Sequence, residues 1–310
     1  MSEREYRERQ WDVLGFGAVA VDDVLFVDRY PPPDSKAPVR AKERHPGGLT
    51  GTALVTVARM GGRAAYAGVF DESDLSRYAV ARLEHEGVDC SAVLRRTGAE
   101  PIHSVIIVVR PTGQRVIYPD ASSWVPRPPE EMSEELISGC RVLFVDHTAL
   151  AGSLRASEIA RQLGIPVVGD VEGDPRPEIL ALVDAIDHLI VGCEFAERVT
   201  GEPEPAAMVR TLARGRAGCV VTHGDRGCWY VERGGEVKHH PAYPVRAVDT
   251  NGCGDVFHGA YAACLCRGIG MDRAVQVATA AAALKATHTG GQAGIPSWEA
   301  IESFMRSATV

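Results

Sequence analysis

One short stretch late in the chain combines a turn, an anion-binding backbone and a carboxylate. The segment Asp249–Asp255 reads Asp-Thr-Asn-Gly-Cys-Gly-Asp and runs into a small, apolar segment. Two glycines within three residues let the backbone approach a ligand closely, and a helix that begins at Asp255 would add partial positive charge. These parts predict an anion site. Asp255 fits that site as a base for a nucleophile that attacks bound phosphate, or it is simply a helix N-cap.

Other glycine-rich segments lie beside predicted strands and helices. The turn at 221–227 follows a strand, and it would bracket nucleotide phosphates or close a hairpin. Gly47 and Gly48 precede a predicted helix, where backbone can approach a ligand or pack tightly on a sheet. The Gly-x-Gly-x-x-Ala at residues 15–20 matches a dinucleotide fingerprint. A strand-like segment follows it instead of a helix, which argues against a Rossmann start.

The composition excludes several classes of protein. The 310 residues carry a formal net charge of −8, with 45% hydrophobic and 24% charged side chains, as in ordinary globular proteins. Because there is no basic excess, we expect no nucleic-acid or membrane partner. The eight cysteines form no C-x-x-C pair, so we expect no zinc site, no disulfide framework and a cytoplasmic location. Residues 1–10 predict a polar tail and not a signal peptide.

Strands and helices alternate along most of the chain, which predicts a mostly parallel sheet covered on both faces. We expect one three-layer α/β/α domain over residues 11–310. Two strand-rich segments, at about 21–45 and 100–120, predict a small β-sheet set apart from the core in the position of a lid. Ligands of parallel sheets bind beyond the carboxyl ends of the strands. The strand ends expected to share one cleft are Gly17, Thr222 and Thr250.

The motifs together resemble a known family. Asp-Thr-Asn-Gly-Cys-Gly-Asp before a small-residue helix is similar to the anion-hole and catalytic-base signature of the ribokinase (phosphofructokinase-B) family of carbohydrate kinases. Other segments agree in order and spacing over nearly the whole chain from Trp11. They are Gly17 and Asp22, Gly47-Gly48, Thr222-x-Gly224-x-x-Gly227, and Gly290-Gly291-x-x-Gly294-Ile295-Pro296. Segments 252–260 and 282–296 are closest to the bacterial sulfofructose kinase branch. The resemblance implies the ribokinase-like fold with a small β-sheet lid.

The resemblance implies phosphoryl transfer from ATP to a primary hydroxyl of a sugar, furanose or ketose-like. Asp255 would be the general base, while the amides of Gly252, Cys253 and Gly254 would stabilise the moving phosphoryl group. Asp22 would accept hydrogen bonds from sugar hydroxyls.

The resemblance also assigns binding roles. Residues assigned to the nucleotide are Thr222, Gly224, Gly227, Thr250, Glu194, Glu197 and Gly291. Residues assigned to the substrate are Asp22, Gly47, Gly48, Thr52, Lys36 and Asp255. Mg²⁺ would bind with ATP, and a monovalent cation such as K⁺ would bind near Thr289 and Gly294.

Three positions depart from the family's pattern. Thr52 stands where relatives carry an asparagine that holds the substrate. Gly-Cys-Glu-Phe at residues 192–195 stands where the N-x-x-E motif organises magnesium and phosphate waters, so Glu194 or Glu197 would have to substitute. Cys253 stands in place of an alanine, which leaves the backbone amide of the anion hole unchanged.

Two alternative functions stay open: a nucleoside kinase with the same site, and a non-catalytic sugar- or nucleotide-binding regulatory protein. Only Tyr118 is aromatic between residues 100 and 120, so little is available to stack on a base. The intact Asp255 opposes a loss of turnover. Because exposed lid strands need covering, we expect a homodimer through the lid. Weaker polar candidates are His103, Arg115, Asp120, His147 and Asp170.

Overall fold

The computed structural model describes residues 9–308. The strands are β1 (Trp11–Phe16), β2 (Ala20–Val27), β3 (Ala41–Gly47), β4 (Ala64–Tyr66), β5 (Val69–Phe70), β6 (Leu94–Arg95), β7 (Ile102–Val109), β8 (Arg115–Asp120), β9 (Cys140–Asp146), β10 (Val167–Asp170), β11 (His188–Gly192), β12 (Gly218–Thr222), β13 (Cys228–Glu232) and β14 (Lys238–His240). The helices are α1 (Leu49–Arg59), α2 (Asp74–His85), α3 (Glu134–Ser138), α4 (Leu150–Gln162), α5 (Pro177–Ala185), α6 (Cys193–Thr200), α7 (Pro205–Leu212), α8 (Cys253–Leu265), α9 (Met271–Ala286) and α10 (Trp298–Ala308).

The main sheet has eight strands in the order β14-β13-β12-β11-β10-β9-β1-β4. The strands from β12 to β4 in this order run parallel, while β13 and β14 are antiparallel additions at one edge. The sequence of β9 is typical of a central parallel strand. Its residues 142–145 are all apolar and buried, as a strand covered on both faces requires. One buried cluster joins the sheet to α1, α8 and α9, and a second joins it to α4–α7. The predicted three-layer α/β/α architecture is confirmed.

The second sheet, here called the small sheet, has four strands in the order β3-β2-β7-β8. It combines the two strand-rich segments that the sequence sets apart from the core. Strand β8 is exposed along its whole length, and β3 is exposed over its first half. Among the described helices, none has the length and apolar character needed to cross a membrane.

The expectation that Asp249–Asp255 follows a strand is wrong. Residues 241–250 contain no strand. Instead, the amides of Val248 and Asp249 both donate to the Ala286 carbonyl, at 2.7 and 3.1 Å. The last turn of a helix has carbonyl groups without intrahelical partners. The segment therefore satisfies its backbone at the end of α9 and not in the sheet.

The start of α8 also differs from the expectation. The helix begins at Cys253, and its N-cap is Gly252 with φ 79°. This left-handed conformation favours glycine. Because Asp255 lies inside the first turn, the interpretation of Asp255 as the N-cap is wrong.

Candidate active site

The first turn of α8 presents open hydrogen-bond donors. The Cys253 amide donates to the Thr250 carbonyl at 3.2 Å, and the Val256 amide donates to the Gly252 carbonyl at 2.9 Å. Among residues 9–308, the amides of Gly254 and Asp255 have no such partner. Unpaired amides at a helix start favour anions. The donors of this turn are thus Gly254 and Asp255, whereas the predicted donor Cys253 is engaged in a turn.

The two glycines at the start of α8, Gly252 and Gly254, have different environments. A Cβ on Gly252 would lie 2.6 Å from the Gly291 carbonyl oxygen, so its missing side chain lets two loops approach each other. A Cβ on Gly254 would have no atom within 4 Å. Gly254 therefore leaves space on the ligand side of the helix start.

A cleft of about 640 Å³ lies in front of this helix start. Its walls come from the carboxyl ends of β10, β11 and β12 and from the starts of α6 and α8. The predicted site residues that line it are Glu194, Glu197, Thr222, Gly224, Gly254 and Asp255. The structure therefore brings together most of the residues that the sequence assigns to the phosphates.

Two carboxylates and a histidine form the floor of the cleft. Asp255 and His258 lie one turn apart on α8, and Asp170 ends β10. His258 Nδ1 lies 3.4 Å from Asp170 Oδ2. Burial and the neighbouring Asp170 carboxylate raise the pKa of Asp255 well above its usual range, while His258 acts in the opposite direction. Burial and the nearby Glu172 also raise the pKa of Asp170.

Both ring nitrogens of His258 face backbone carbonyls. Nδ1 is 2.8 Å from the Gly254 oxygen, and Nε2 is 3.0 Å from the Ile190 oxygen. A neutral imidazole has one N–H and satisfies one of these acceptors, whereas an imidazolium satisfies both. Burial lowers the pKa of His258, but these two carbonyls and the Asp255 carboxylate oppose that effect. Protonation of His258 and ionisation of Asp255 therefore favour each other.

Asp249 connects the loop before α8 to two other segments. Its carboxylate accepts hydrogen bonds from the amides of Asn251 and Gly290, both at 2.9 Å. It also accepts one from Arg115 Nη1 of the small sheet at 3.0 Å. Burial acts to raise the pKa of Asp249, but the two amides, Lys285 and Arg115 outweigh it and lower the pKa. One carboxylate thus joins the loop before α8, the loop after α9 and the small sheet.

The predicted sugar side lies on the small sheet and the start of α1. A Cβ on Gly47 would lie 2.9 Å from Asp22 Oδ2, so this glycine makes room for the carboxylate. Burial raises the pKa of Asp22, while a hydrogen bond from Ser104 and the charge of His45 oppose the rise. His45 also meets the loop after α9, since a Cβ on Gly290 would lie 3.7 Å from its Nδ1.

Other predicted residues lie elsewhere. Thr52 is buried and accepts a hydrogen bond from Gln292 Nε2 at 3.2 Å. Lys36 lies in an exposed loop beside a separate depression and is not brought to the cleft. Gly48 opens α1 with φ 90°, next to the cleft residue Leu49. Gly227 supports the 222–227 turn by close approach to the His240 carbonyl, outside the cleft lining.

Most of the weaker polar candidates have structural partners. His103 pairs with Asp23 at 2.8 Å, and the carboxylate of Asp120 accepts from the Ser122 amide. Asp146 holds the Ala18 amide and the Thr50 hydroxyl at 2.7 and 2.8 Å. His147, in the turn after β9, is the exception, because its buried Nδ1 has no hydrogen-bond partner within the described part of the chain.

Sequence reasoning missed three residues of this region: His45, His258 and Lys285. A signal existed for two of them. His258 is three residues after Asp255, so both share one helix face. Lys285 interrupts an alanine-rich, buried helix, where a lysine is rarely found without a charge partner.

A mostly parallel α/β/α core, a small separate sheet and a carboxylate at a helix start beside a strand-end cleft define a ribokinase-like phosphotransferase. The model of the pfkB family carbohydrate kinases matches residues 12–298. The chain belongs to this family, which confirms the expectation of an ATP-dependent carbohydrate kinase. The finer resemblance to the sulfofructose kinase branch stays a prediction.

Individual relatives agree with this assignment. The chain is 29% identical to fructokinase-1 of Oryza sativa subsp. japonica, over 96% of this chain and 98% of the relative. It is 25% identical to ribokinase of Haemophilus influenzae, over 94% and 97%. The structure of ribokinase from Thermotoga maritima superposes with a TM-score of 0.82 at 26% identity, over 96% and 99%. A ribokinase of Arabidopsis thaliana in complex with ribose and ATP shares the fold, with a TM-score of 0.86 at 20% identity, over 96% and 99%.

Proposed function

We propose that this chain transfers the γ-phosphoryl group of ATP directly to a primary hydroxyl of a furanose or ketose-like sugar. The observation that carries the proposal is the first turn of α8. The Asp255 carboxylate and the unpaired amides of Gly254 and Asp255 meet there on one cleft. A base beside an anion site is what a loose phosphoryl transition state needs, because catalysis there is positioning and charge stabilisation.

Asp255 is the general base in this proposal. It accepts the proton of the attacking hydroxyl, so it must be ionised before the reaction. Its pKa is raised by burial and by Asp170, which brings it toward the pH at which proton transfer is most efficient. Activity therefore falls as the pH drops through the raised pKa of Asp255. His258, which lies 3.4 Å from Asp170 on the same cleft, limits how far that pKa rises.

The nucleotide binds along the cleft, with its phosphates between the start of α8 and the Thr222–Gly227 turn. Among residues 9–308, no group of three or more Asp, Glu, His or Cys side chains is arranged to hold a metal. Mg²⁺ would bind with ATP and keep several waters. Glu194 and Glu197, on the same cleft, would contact those waters in place of the N-x-x-E motif.

The sugar binds where the small sheet meets the core. Asp22 accepts its hydroxyls, and the amide region of Gly47 and Gly48 borders it. Thr52 is buried and already accepts a hydrogen bond from Gln292, so in this proposal it supports the sugar site without contacting the sugar. The fructokinase and ribokinase relatives act on sugars by name, which supports a sugar as the acceptor.

The small sheet acts as a lid and as a dimer interface in this proposal. Strand β8 exposes three large apolar side chains, Val116 (37%), Ile117 (45%) and Tyr118 (58%). An exposed edge strand with apolar side chains is a candidate for pairing. We infer that a second copy of the chain covers it. Sedimentation of the wild type and of Tyr118→Asp tests this: a dimer that dissociates supports it, and a wild-type monomer contradicts it.

One experiment separates the proposal from its alternatives. ADP release is measured with Mg²⁺ and ATP across pentoses, ketohexoses, phosphosugars and nucleosides, and the product is examined by ³¹P and ¹³C NMR. We expect a sugar to be phosphorylated on a primary hydroxyl. Preferred turnover of a nucleoside would favour the nucleoside kinase. A sugar that raises the melting temperature without turnover would favour the binding protein.

A further inference from the structure

A buried lysine lies against the loop that leads into α8. Lys285 is the second-last residue of α9, and its side chain is 0% exposed. Its Nζ donates a hydrogen bond to the Asp249 carbonyl oxygen at 2.9 Å. The same stretch of α9 is otherwise rich in alanine, so packing alone does not require a long cationic side chain. Lysine is almost never fully buried unless it is paired.

Lys285 is a buried positive charge at the junction of two loops. On one side are Asp249, in the loop before α8, and Cys253, the first residue of α8. On the other side is the loop after α9, whose Gly290 amide donates to the Asp249 carboxylate at 2.9 Å. Burial lowers the pKa of Lys285, while the Cys253 thiol and the Asp249 carboxylate oppose that effect. The position at the end of a helix, where carbonyl groups concentrate negative charge, also favours a cation.

This junction is where the sequence predicts a monovalent cation, near Thr289 and Gly294. The side chains present do not fit such an ion. The ammonium of Lys285 already binds the Asp249 carbonyl, and a second positive charge beside it would be repelled in this buried setting. An ammonium group and K⁺ carry the same charge, and both bind carbonyl oxygens. The lysine therefore supplies the positive charge on the carbonyl oxygen that a bound ion would otherwise supply.

We propose that Lys285 is a positioning residue that replaces a monovalent cation: it fixes the Asp249 carbonyl and the loop that presents the Gly254 and Asp255 amides, so phosphoryl transfer needs no K⁺. This inference rests on the proposed kinase function. The coupling runs through a short path, because Asp249 also binds the Asn251 amide and Gly252 contacts the Gly291 carbonyl. Loss of the ammonium removes the side-chain bond between α9 and the loop before α8, which, within residues 9–308, is then held to α9 only by the backbone bonds to the Ala286 carbonyl.

The first test uses the wild type. Sugar-dependent ADP release is compared in tetramethylammonium chloride and in KCl at equal ionic strength. We expect equal rates within about twofold, and activation by K⁺ well beyond that would overturn the proposal. In Lys285→Ala, without K⁺, we expect kcat to fall about 10- to 100-fold, as for loss of a hydrogen bond from a charged group. K⁺ or NH₄⁺ should restore much of the rate, because the vacated space admits an ion.

The controls separate positioning from folding. Lys238→Ala removes an exposed lysine that pairs with Asp272, and it should show no dependence on K⁺. Lys285→Met removes the charge but fills most of the space of the lysine stem, so it should lose activity without rescue by K⁺. A folded Lys285→Ala that K⁺ and NH₄⁺ both fail to rescue would contradict the proposal.

A readout without turnover keeps this inference separate from the kinase proposal. A bound ion stabilises the folded state, so KCl should raise the melting temperature of Lys285→Ala relative to tetramethylammonium chloride. The wild type and Lys285→Met should show no such difference. If no sugar is turned over but this pattern holds, the kinase proposal fails and the role of Lys285 stands. If the wild type itself is stabilised by K⁺, the role of Lys285 fails.

Discussion

The two sides of the candidate active site are built differently. The phosphate side lies against the buried core: the buried His258 lies 3.4 Å from Asp170 and one helical turn from Asp255, and burial raises the pKa of both carboxyls. The sugar side lies on the small sheet, whose edge strands β3 and β8 are largely exposed and which carries surface ion pairs such as Arg44–Asp23. The proposed reaction chemistry thus lies against the buried core, and the proposed sugar recognition lies beside a more exposed sheet. The two sides meet at Asp249, through its ion pair with Arg115.

The largest loss of activity is expected for Asp255→Asn, on the phosphate side. Loss of a general base lowers kcat by about 10²- to 10⁴-fold. The folded-state pKa of Asp255 lies above the unfolded value of 3.8, so between these two pH values the free energy of unfolding falls as pH rises. Asparagine does not ionise, so the variant avoids this loss of stability. We expect a higher melting temperature at pH 7 with lower activity. Kinetics and thermal denaturation check both. Asp184→Asn, at an exposed carboxylate of α5 outside the cleft, is the control and should keep most of the activity.

The glycine pair on the phosphate side gives the next largest effect. Gly254→Ala adds a methyl group into open space, so the protein should fold normally and lose activity by about 10²-fold, as when one oxyanion donor is lost. Gly252→Ala places a Cβ at φ 79° against the Gly291 carbonyl, and it should cost about 1–3 kcal/mol of stability. Melting temperatures and kcat distinguish the two. Equal destabilisation of both variants would contradict the distinction between them.

A smaller effect is expected for Asp170→Asn. Removing this carboxylate removes a repulsion that raises the pKa of Asp255. The acid limb of the kcat profile should therefore move to lower pH, while the rate on the plateau changes less. A profile from pH 5 to 9 measures the shift. If the variant folds and the acid limb stays in place, Asp170 does not influence the pKa of the catalytic base.

The smallest effect on stability should come from the contact between the two sides. Arg115→Ala removes an ion pair whose arginine is 41% exposed, and such pairs contribute only about 0.2–1 kcal/mol. The melting temperature should hardly change, while the KM for the sugar should rise several-fold because the small sheet is no longer held on the core. Arg110→Ala, on the turn after β7, is a matched control. An unchanged KM would show that the contact does not matter for the substrate.

The same contrast explains what the sequence predicts. The alternation of apolar strands and helices predicts the main sheet, because burial on both faces leaves a strong pattern, as in β9. The sequence misplaces the start of α8 because the turn before it has the residue types of a strand end, while its backbone partner is the distant Ala286 carbonyl on α9. The interaction of Arg115 with Asp249 and the place of Lys285 depend on such distant contacts, which no local pattern encodes. Sugar specificity cannot be predicted from the sequence for the same reason. The pattern of the small sheet predicts its strands but not which side chains contact the substrate.

The central claim is a direct transfer from ATP to the sugar, with Asp255 as base and no covalent phosphoenzyme. The most direct test is the stereochemistry at phosphorus. ATP with an isotopically chiral γ-phosphoryl group is reacted with the sugar identified by ADP release, and the configuration of the sugar phosphate is determined. A single in-line transfer predicts inversion of configuration. Retention would require two successive displacements, and it would contradict the mechanism.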